Sequence, residues 1–287
     1  MTLGKKRKVE LVVISDVHLG TLGCRATELC EYLESIIPEK LVLNGDIIDI
    51  WQFRKSYFPP AHLQVIKKIL DMSRKGTEVI YITGNHDELL RKFRDTQMGG
   101  FSIVDKLVLE LDGKKAWFFH GDIFDVSIKN ARWLARLGGH SYDLLVMLNR
   151  MMNWGLVKMG KKKFSLSRRI KNSVKRAVKC INDFEKTAAD LAIKQKYKYV
   201  ICGHIHQPRM VRKTTKDGTC LYLNSGDWIE HMSALEYHNK RWSLIHYEAE
   251  KIASENPQSD LSDILTAMTV IGKVKDVDTT KMKFSGF

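Results

Sequence analysis

The stretch "EVIYITGNHDELL", residues 78–90, opens as a strand and stops abruptly on a glycine, an amide, an imidazole and a carboxylate. Its first five residues are rich in β-branched and aromatic side chains, which suits a buried strand. A turn after them needs Gly84 and gains from Asn85, because both tolerate unusual backbone angles. A turn needs neither the ring of His86 nor the carboxylate of Asp87.

The same event recurs along the chain. "ELVVI" leads to "SDVHLG", "LVL" to "NGDIID", "AWFF" to "HGD", "YKYVI" to "CGHIHQP" and "CLYL" to "NSGDW". Strand-like runs thus end repeatedly in Asp, Asn or His. Helical periodicity over 26–37 and 63–74 separates the early runs, so the first half reads βαβαβ. Such alternation argues for a mainly parallel sheet, and α/β folds gather their sites at the carboxyl ends of parallel strands.

The 287 residues are 44% hydrophobic with only 5 Pro, a globular composition. The last forty residues, including "SENPQSDLSDILTAMTV" and "KVKDVDTTKMKFSGF", are polar and weakly periodic, and a polar C-terminal tail is expected over 251–287. Cys24, Cys30, Cys180, Cys202 and Cys220 are odd in number and form no CxxC pair, which points to a reducing compartment and away from structural zinc. The N-terminus has too few apolar residues for a secretory signal, and no run of apolar residues is long enough to span a bilayer.

The net charge is +14, and it is concentrated. Between Leu144 and Asn182 there is no acid, while Arg150, Lys158, Lys161, Lys162, Lys163, Arg168, Arg169, Lys171, Lys175, Arg176 and Lys179 are all cationic. A local patch asks for a local anionic partner. The preceding residues supply an apolar stretch that includes Leu144, Leu148, Met151, Met152 and Trp154. We expect 126–192 to be an inserted helical cap, with core segments 1–125 and 193–250 around it. Arg168, Arg169 and Lys171 are candidate substrate contacts.

The strand-end residues Asp16, His18, Asp46, Asn85, His86, His120, His204 and His206 offer a mixed set of imidazole, carboxylate and amide donors. Such sets suit Mn, Fe, Co or Zn. Leaving His86 aside, seven ligands are too many for one ordinary site and fit two metals sharing a carboxylate, a device used for phosphoester hydrolysis. Each motif alone is more often a turn or a packed histidine. His62, His140, His231, His238 and His246 have no comparable context and read as ordinary surface or packing residues.

The order D-x-H at Asp16 and His18, G-D at Gly45 and Asp46, G-N-H-D at Gly84 to Asp87, a single His120, and G-H-x-H at Gly203 to His206 resembles the calcineurin-like metallophosphoesterases. That resemblance implies a four-layer αββα sandwich of two packed sheets flanked by helices. It implies that Asp16, His18 and His206 bind one metal, that Asn85, His120 and His204 bind the other, and that Asp46 bridges. It further implies that His86 contacts the phosphoryl group and protonates the leaving oxygen, a task suited to an imidazole. Asp87, grouped with His86 as catalytic, would orient its neighbours, as would Asp49 and Asp122.

Within the superfamily, "SDVHLG", an insertion after "HGD" and "GHIHQP" are similar to the bacterial UDP-2,3-diacylglucosamine pyrophosphohydrolases of lipid A synthesis. The resemblance implies Mn, a nucleotide-lipid substrate cleaved to UMP and 2,3-diacylglucosamine 1-phosphate, and a peripheral position on the cytoplasmic face of the inner membrane, with the basic cap on an anionic leaflet. One departure stands out: the best known members carry Arg where this chain has His86. Arg only neutralises charge, whereas His also moves a proton. Other lipid, nucleotide or nucleic-acid phosphates therefore stay open as substrates of a phosphomonoesterase or phosphodiesterase. A nucleic-acid partner is not expected, since Phe164 is the only aromatic between Gly155 and Lys179. A metal-free scaffold would show a broken ligand set, and all seven positions are intact.

Overall fold

The computed structural model describes residues 6–50, 58–124 and 166–248, apart from the side chains of 166–177. The chain divides into two units, Met1–Tyr247 and Glu248–Phe287, and only Glu248 of the second is among the described residues. The apolar part of the expected cap, the Lys161–Lys163 cluster and the expected tail 251–287 lie outside the described residues. Arg168, Arg169 and Lys171 fall on a described helix, but their side chains do not.

The first unit begins β1 (Arg7–Ile14), α1 (Ala26–Ser35), β2 (Ile36–Asn44), α2 (Pro60–Arg74) and β3 (Glu78–Ile82). This is the expected βαβαβ order. One boundary moves: Ile36 and Ile37, expected to end a helix, already pair with Arg7 and Lys8 as strand. Both are β-branched, and Pro38 disfavours the helical conformation at the residue before it. There follow β4 (Thr96–Met98), β5 (Phe101–Val104), β6 (Lys106–Leu111), β7 (Lys114–Phe119), a long helix α3 (Leu166–Lys194), β8 (Tyr199–Cys202), β9 (Arg209–Thr215), β10 (Gly218–Asn224), β11 (Ser233–His238) and β12 (Arg241–His246).

These strands form two sheets, one in the order β12-β11-β1-β2-β3-β5-β4 and one in the order β6-β7-β8-β10-β9. The centre of each is parallel: β1, β2, β3 and β5 in the first, β7, β8 and β10 in the second. The antiparallel strands lie to either side. Period-two alternation sorts the side chains into layers. Val12, Ile14, Val79 and Tyr81 pack with α1 and α2, whereas Leu11, Val13, Ile80 and Ile82 face Ala116, Phe118, Ile201 and Leu223 of the second sheet. On the far side, Phe119, Val200, Cys202 and Tyr222 pack against Phe184, Ala188, Ala189 and Ala192 of α3. The layers are helix, sheet, sheet, helix, the αββα sandwich expected from the sequence.

The last contact corrects a boundary. The expected insertion 126–192 ends inside α3, yet Phe184, Ala188, Ala189 and Ala192 are buried on one face of that helix. Their spacing repeats about every turn, and three alanines let the helix lie close on the sheet. This part of the expected insertion is therefore a layer of the core. Glu185, buried on the same helix, pairs with Arg209 at 3.3 Å and Lys213 at 2.7 Å on β9 and ties the helix to the sheet edge.

Candidate metal centre

All six central strands that lead to the motifs point their carboxyl ends at one rim. β1 delivers Asp16 and His18, β2 delivers Asp46, and β3 delivers Asn85, His86 and Asp87; from the second sheet β7 delivers His120, β8 delivers His204 and His206, and β10 delivers Asp227. Backbone bonds fix these loops to one another. The amide of Asp16 donates to the Gly45 carbonyl at 3.1 Å, that of His18 to the Asp46 carbonyl at 3.0 Å, and that of Gly203 to the His120 carbonyl at 2.9 Å.

The backbone at the rim is strained. Asp16, His18, Asp46, His204 and His206 all have positive φ, between 52° and 68°. For a residue with a Cβ this left-handed conformation costs roughly 1–2 kcal/mol, and such costs cluster where a surrounding structure enforces them for function. Five of the seven expected ligands share it. Two glycines allow the approach that results: a Cβ on Gly45 would lie 2.3 Å from His120 Nδ1, and one on Gly203 would lie 2.6 Å from Asp16 Oδ2.

Each carboxylate divides its oxygens between two jobs. Asp16 Oδ2 accepts the His204 amide at 2.9 Å, and Asp46 Oδ1 accepts the His86 amide at 2.8 Å. Asp16 Oδ1 and Asp46 Oδ2 are buried and, among the described residues, accept no hydrogen bond, and His18 Nε2 is in the same state. Asp16 Oδ1 lies 3.2 Å from His206 Nε2, and Asp46 Oδ2 lies 3.2 Å from His120 Nε2. His204 Nδ1 comes within 3.3 Å of His120 Nε2. Three overlapping groups result, Asp16 with His18 and His206, His18 with Asp46 and His86, and Asp46 with His120 and His204, each with its ligand atoms within 4.8 Å of one another.

Buried acceptors facing buried acceptors are costly unless a cation lies between them. His120 shows the arrangement most clearly. Its Nδ1 donates to the Asn44 carbonyl at 2.8 Å, which turns Nε2 toward Asp46. The donor set, with buried oxygens and nitrogens aimed at a common point, fits divalent metals.

The electrostatics agree. Burial opposes charge on His120, but Asp46 and then Asp16 outweigh it and raise the ring to about 10. In His206 burial is likewise overcome by Asp16 and Asp227, and the ring is raised to about 9. Burial would raise Asp16, yet His206 lowers it to about 2, and Asp46 is held well below the carboxylate range by His120, His18 and His86 against its burial. The buried carboxylates thus favour positive charge on the facing rings, and a bound metal would take the place of those protons.

His86 stands at the edge of this cluster. Its ring is part-exposed, lies edge-on to that of His18 with centroids 4.7 Å apart, and has its Nδ1 2.9 Å from Asp49 Oδ2. The same oxygen of Asp49 lies 3.3 Å from His18 Nδ1. Asp49 therefore orients the rings of His18 and His86 together. Asp87, grouped with His86 by sequence and expected to orient its neighbours, braces the loops. It is fully buried, with Oδ1 accepting the Gly84 amide and Oδ2 accepting the Ile47 amide at 2.9 Å and the Tyr81 hydroxyl. A carboxylate with both oxygens engaged by its own loops has no oxygen left for a reacting group. Asp122 pairs with Arg91, outside the metal-binding groups.

Sequence reasoning passed over Asp227 and His231. Asp227 Oδ2 lies 3.5 Å from His206 Nδ1 and 2.8 Å from His231 Nδ1. The one signal was the strand run before "NSGDW", which behaves like the other five. His62, in contrast, is the packed histidine expected: buried, it accepts the Gly20 amide at Nδ1, 2.8 Å away.

With this geometry in hand, comparison with known proteins is informative. The family model for calcineurin-like phosphoesterases matches residues 9–208. The UDP-2,3-diacylglucosamine hydrolase of Aliivibrio fischeri (strain MJ11) is 27% identical over 239 residues, covering 82% of this chain and 97% of that protein. The protein of the same name from Blochmanniella pennsylvanica (strain BPEN) is 24% identical over 247 residues, covering 84% of this chain and 96% of the relative. Among solved structures, the phosphoesterase Yfce from E. coli matches with a TM-score of 0.40 and 14% identity, covering 83% of this chain and 99% of that one.

Proposed function

The chain belongs to the calcineurin-like phosphoesterase family of metal-dependent hydrolases, and from that premise we propose that it cleaves the pyrophosphate of UDP-2,3-diacylglucosamine to UMP and 2,3-diacylglucosamine 1-phosphate. The observation that carries this reading is the convergence of Asp16, His18, Asp46, His120, His204 and His206 on one rim. The choice of substrate is supported by alignment over 97% of a protein named for it.

Asp16, His18, Asp46 and His206 would hold one divalent ion, and Asp46, Asn85, His120 and His204 a second. Mn is our assignment, with Fe, Zn and Co as alternatives for this donor set. When bound, such a pair neutralises phosphoryl oxygens and makes water a nucleophile at neutral pH. The residues of the chain supply order. Asp46 spends Oδ1 on the His86 amide and keeps Oδ2 between the two ligand groups. Asp49 lies against Nδ1 of His86 and orients the ring, whose imidazole is suited to moving a proton.

His86 also favours a second reading. A sugar phosphate leaves readily, because its own second pKa is near 6, and needs little help from an acid. An alkoxide leaving group needs that proton in the transition state. A lipid phosphate ester with an alcohol leaving group would use His86 more fully.

The test is UMP release, followed by mass spectrometry with Mn and UDP-2,3-diacylglucosamine in detergent. We expect UMP from the wild type and none from His120→Ala. Hydrolysis of an aryl phosphate without UMP release would discard the pyrophosphate reading in favour of the ester. His86→Asn separates the two further: a loss of about 10²–10⁴ is expected for an alkyl ester, and a much smaller loss for the pyrophosphate.

We further propose that the enzyme works at the cytoplasmic face of a membrane, held by its basic segment. Support comes from the absence of acids between Leu144 and Asn182, since each cation near an anionic leaflet contributes about 1 kcal/mol. Among the described residues no helix is long and apolar enough to cross a membrane. Replacing Lys161, Lys162 and Lys163 with Ala is expected to weaken binding to anionic vesicles while turnover of a soluble substrate is retained. Equal loss of both would contradict this.

A further inference from the structure

We infer that Asp227 is a positioning residue for the metal centre: its carboxylate holds the second nitrogen of His206 and so aims Nε2 of that ring at the ion bound with Asp16 and His18. The inference rests on the metal-centre reading above and adds a residue that no motif supplied.

Three rings in the site present Nε2 to a carboxylate oxygen: His18 and His120 toward Asp46, and His206 toward Asp16. Such a ring is fixed only when Nδ1 has an acceptor, which sets both tautomer and orientation. His120 has the Asn44 carbonyl and His18 has Asp49. For His206 the group facing Nδ1 is Asp227 Oδ2, at 3.5 Å. The set is complete only with Asp227 included.

The carboxylate is built for the task. Asp227 is buried, and Oδ1 gathers the backbone amides of Ile229, Glu230 and His231 at 2.9, 2.6 and 3.1 Å. That oxygen shapes its own loop and keeps the group rigid. Oδ2 is left for rings, His206 on one side and His231, at 2.8 Å, on the other. The loop is itself fastened to the metal-binding residues, because the amide of Trp228 donates to the Asp16 carbonyl at 3.2 Å. Asp227 and Asp16 thus meet His206 from opposite ring nitrogens while their backbones are bonded together. A purely structural role would use Oδ1 and His231 and would be indifferent to His206.

Asp227→Asn separates the two roles. Its amide oxygen keeps the three backbone amides, while its NH₂ turns toward His206 Nδ1 and cannot accept from it. Protein stripped by chelator is titrated with Mn²⁺ alone, by calorimetry and by electron paramagnetic resonance. Wild type is expected to take two ions per chain. Asp227→Asn is expected to bind one of them about 10–100-fold more weakly, while His231→Gln, which leaves the His206 contact in place, binds both as wild type does. Two ions bound with unchanged affinity in Asp227→Asn would overturn the inference, as would equal weakening in His231→Gln. Failure of the wild type to bind two ions would instead overturn the metal-centre reading on which it rests. A second measurement needs no variant. In Zn²⁺-loaded wild type, nitrogen-15 spectra are expected to show His206 protonated at Nδ1, and metal bound at that nitrogen would overturn the proposal.

Discussion

The two sheets bring different chemistry to the rim. The first, through β1, β2 and β3, supplies Asp16, Asp46 and Asp49, with the buried imidazole of His18 and the part-exposed His86. The second, through β7, β8 and β10, supplies His120, His204 and His206 and a single acid, Asp227, which faces the back of a ring. Charge comes mainly from one layer and imidazoles mainly from the other. Two of the three candidate groups draw on both sheets, so a cation bound in either would fasten the two layers at their rim, where Asp16 Oδ1 and Asp46 Oδ2 otherwise face His206 and His120 at 3.2 Å.

The harshest way to break this contrast is Asp46→Asn, which keeps an acceptor for the His86 amide and removes the charge that both ligand groups share. Turnover is expected to fall to background, with loss of the metal pair by elemental analysis. Retained turnover would dissolve the paired site. Gly203→Ala attacks the join itself, because the new Cβ would meet Asp16 Oδ2 at 2.6 Å and Ser15 at 2.7 Å, both on the opposite sheet. A destabilisation of about 1–3 kcal/mol, read by chemical denaturation, is expected with a loss of metal affinity.

Chelation tests the fastening more gently. Saturation at a hundredfold over the dissociation constant contributes about 2.7 kcal/mol, so stripping the metals is expected to lower Tm by about 5–10 °C for a unit of this size. An unchanged Tm would mean that the sheets do not need the cation. The smallest effect is one of pH. His120 and His206 are raised to about 10 and about 9, so in metal-free protein their contribution is complete below about pH 6.5 and is lost as pH rises through those values. Metal displaces the same protons. The gain in Tm on adding Mn is therefore expected to grow from pH 6.5 to 8.5, and a flat or falling gain would argue that these rings are not ligands.

The sequence made the rim legible because its residues are locally improbable. His86 after a strand, or His204 and His206 spaced by one, have no turn chemistry to excuse them. Asp227 escaped because Ser-Gly-Asp after a strand is ordinary turn composition, and only the fold reveals that His206 lies beyond its carboxylate. Asp87 was grouped with His86 because the two are adjacent in sequence, and its own oxygens turn inward to Gly84, Ile47 and Tyr81. Division into two sheets was invisible to periodicity. Strands such as β1 and β8 are apolar on both faces, and nothing in "LVVI" or "YVIC" says which sheet each joins. That layering came from resemblance, as did the expectation that Asp46 bridges.

The decisive experiment is anomalous diffraction from crystals grown with Mn²⁺. Two peaks about 3.5–4 Å apart, flanking Asp46 Oδ2, with Asp16, His18 and His206 around one and Asn85, His120 and His204 around the other, are the predicted result. A single peak, or a pair that leaves Asp46 unshared, would contradict it.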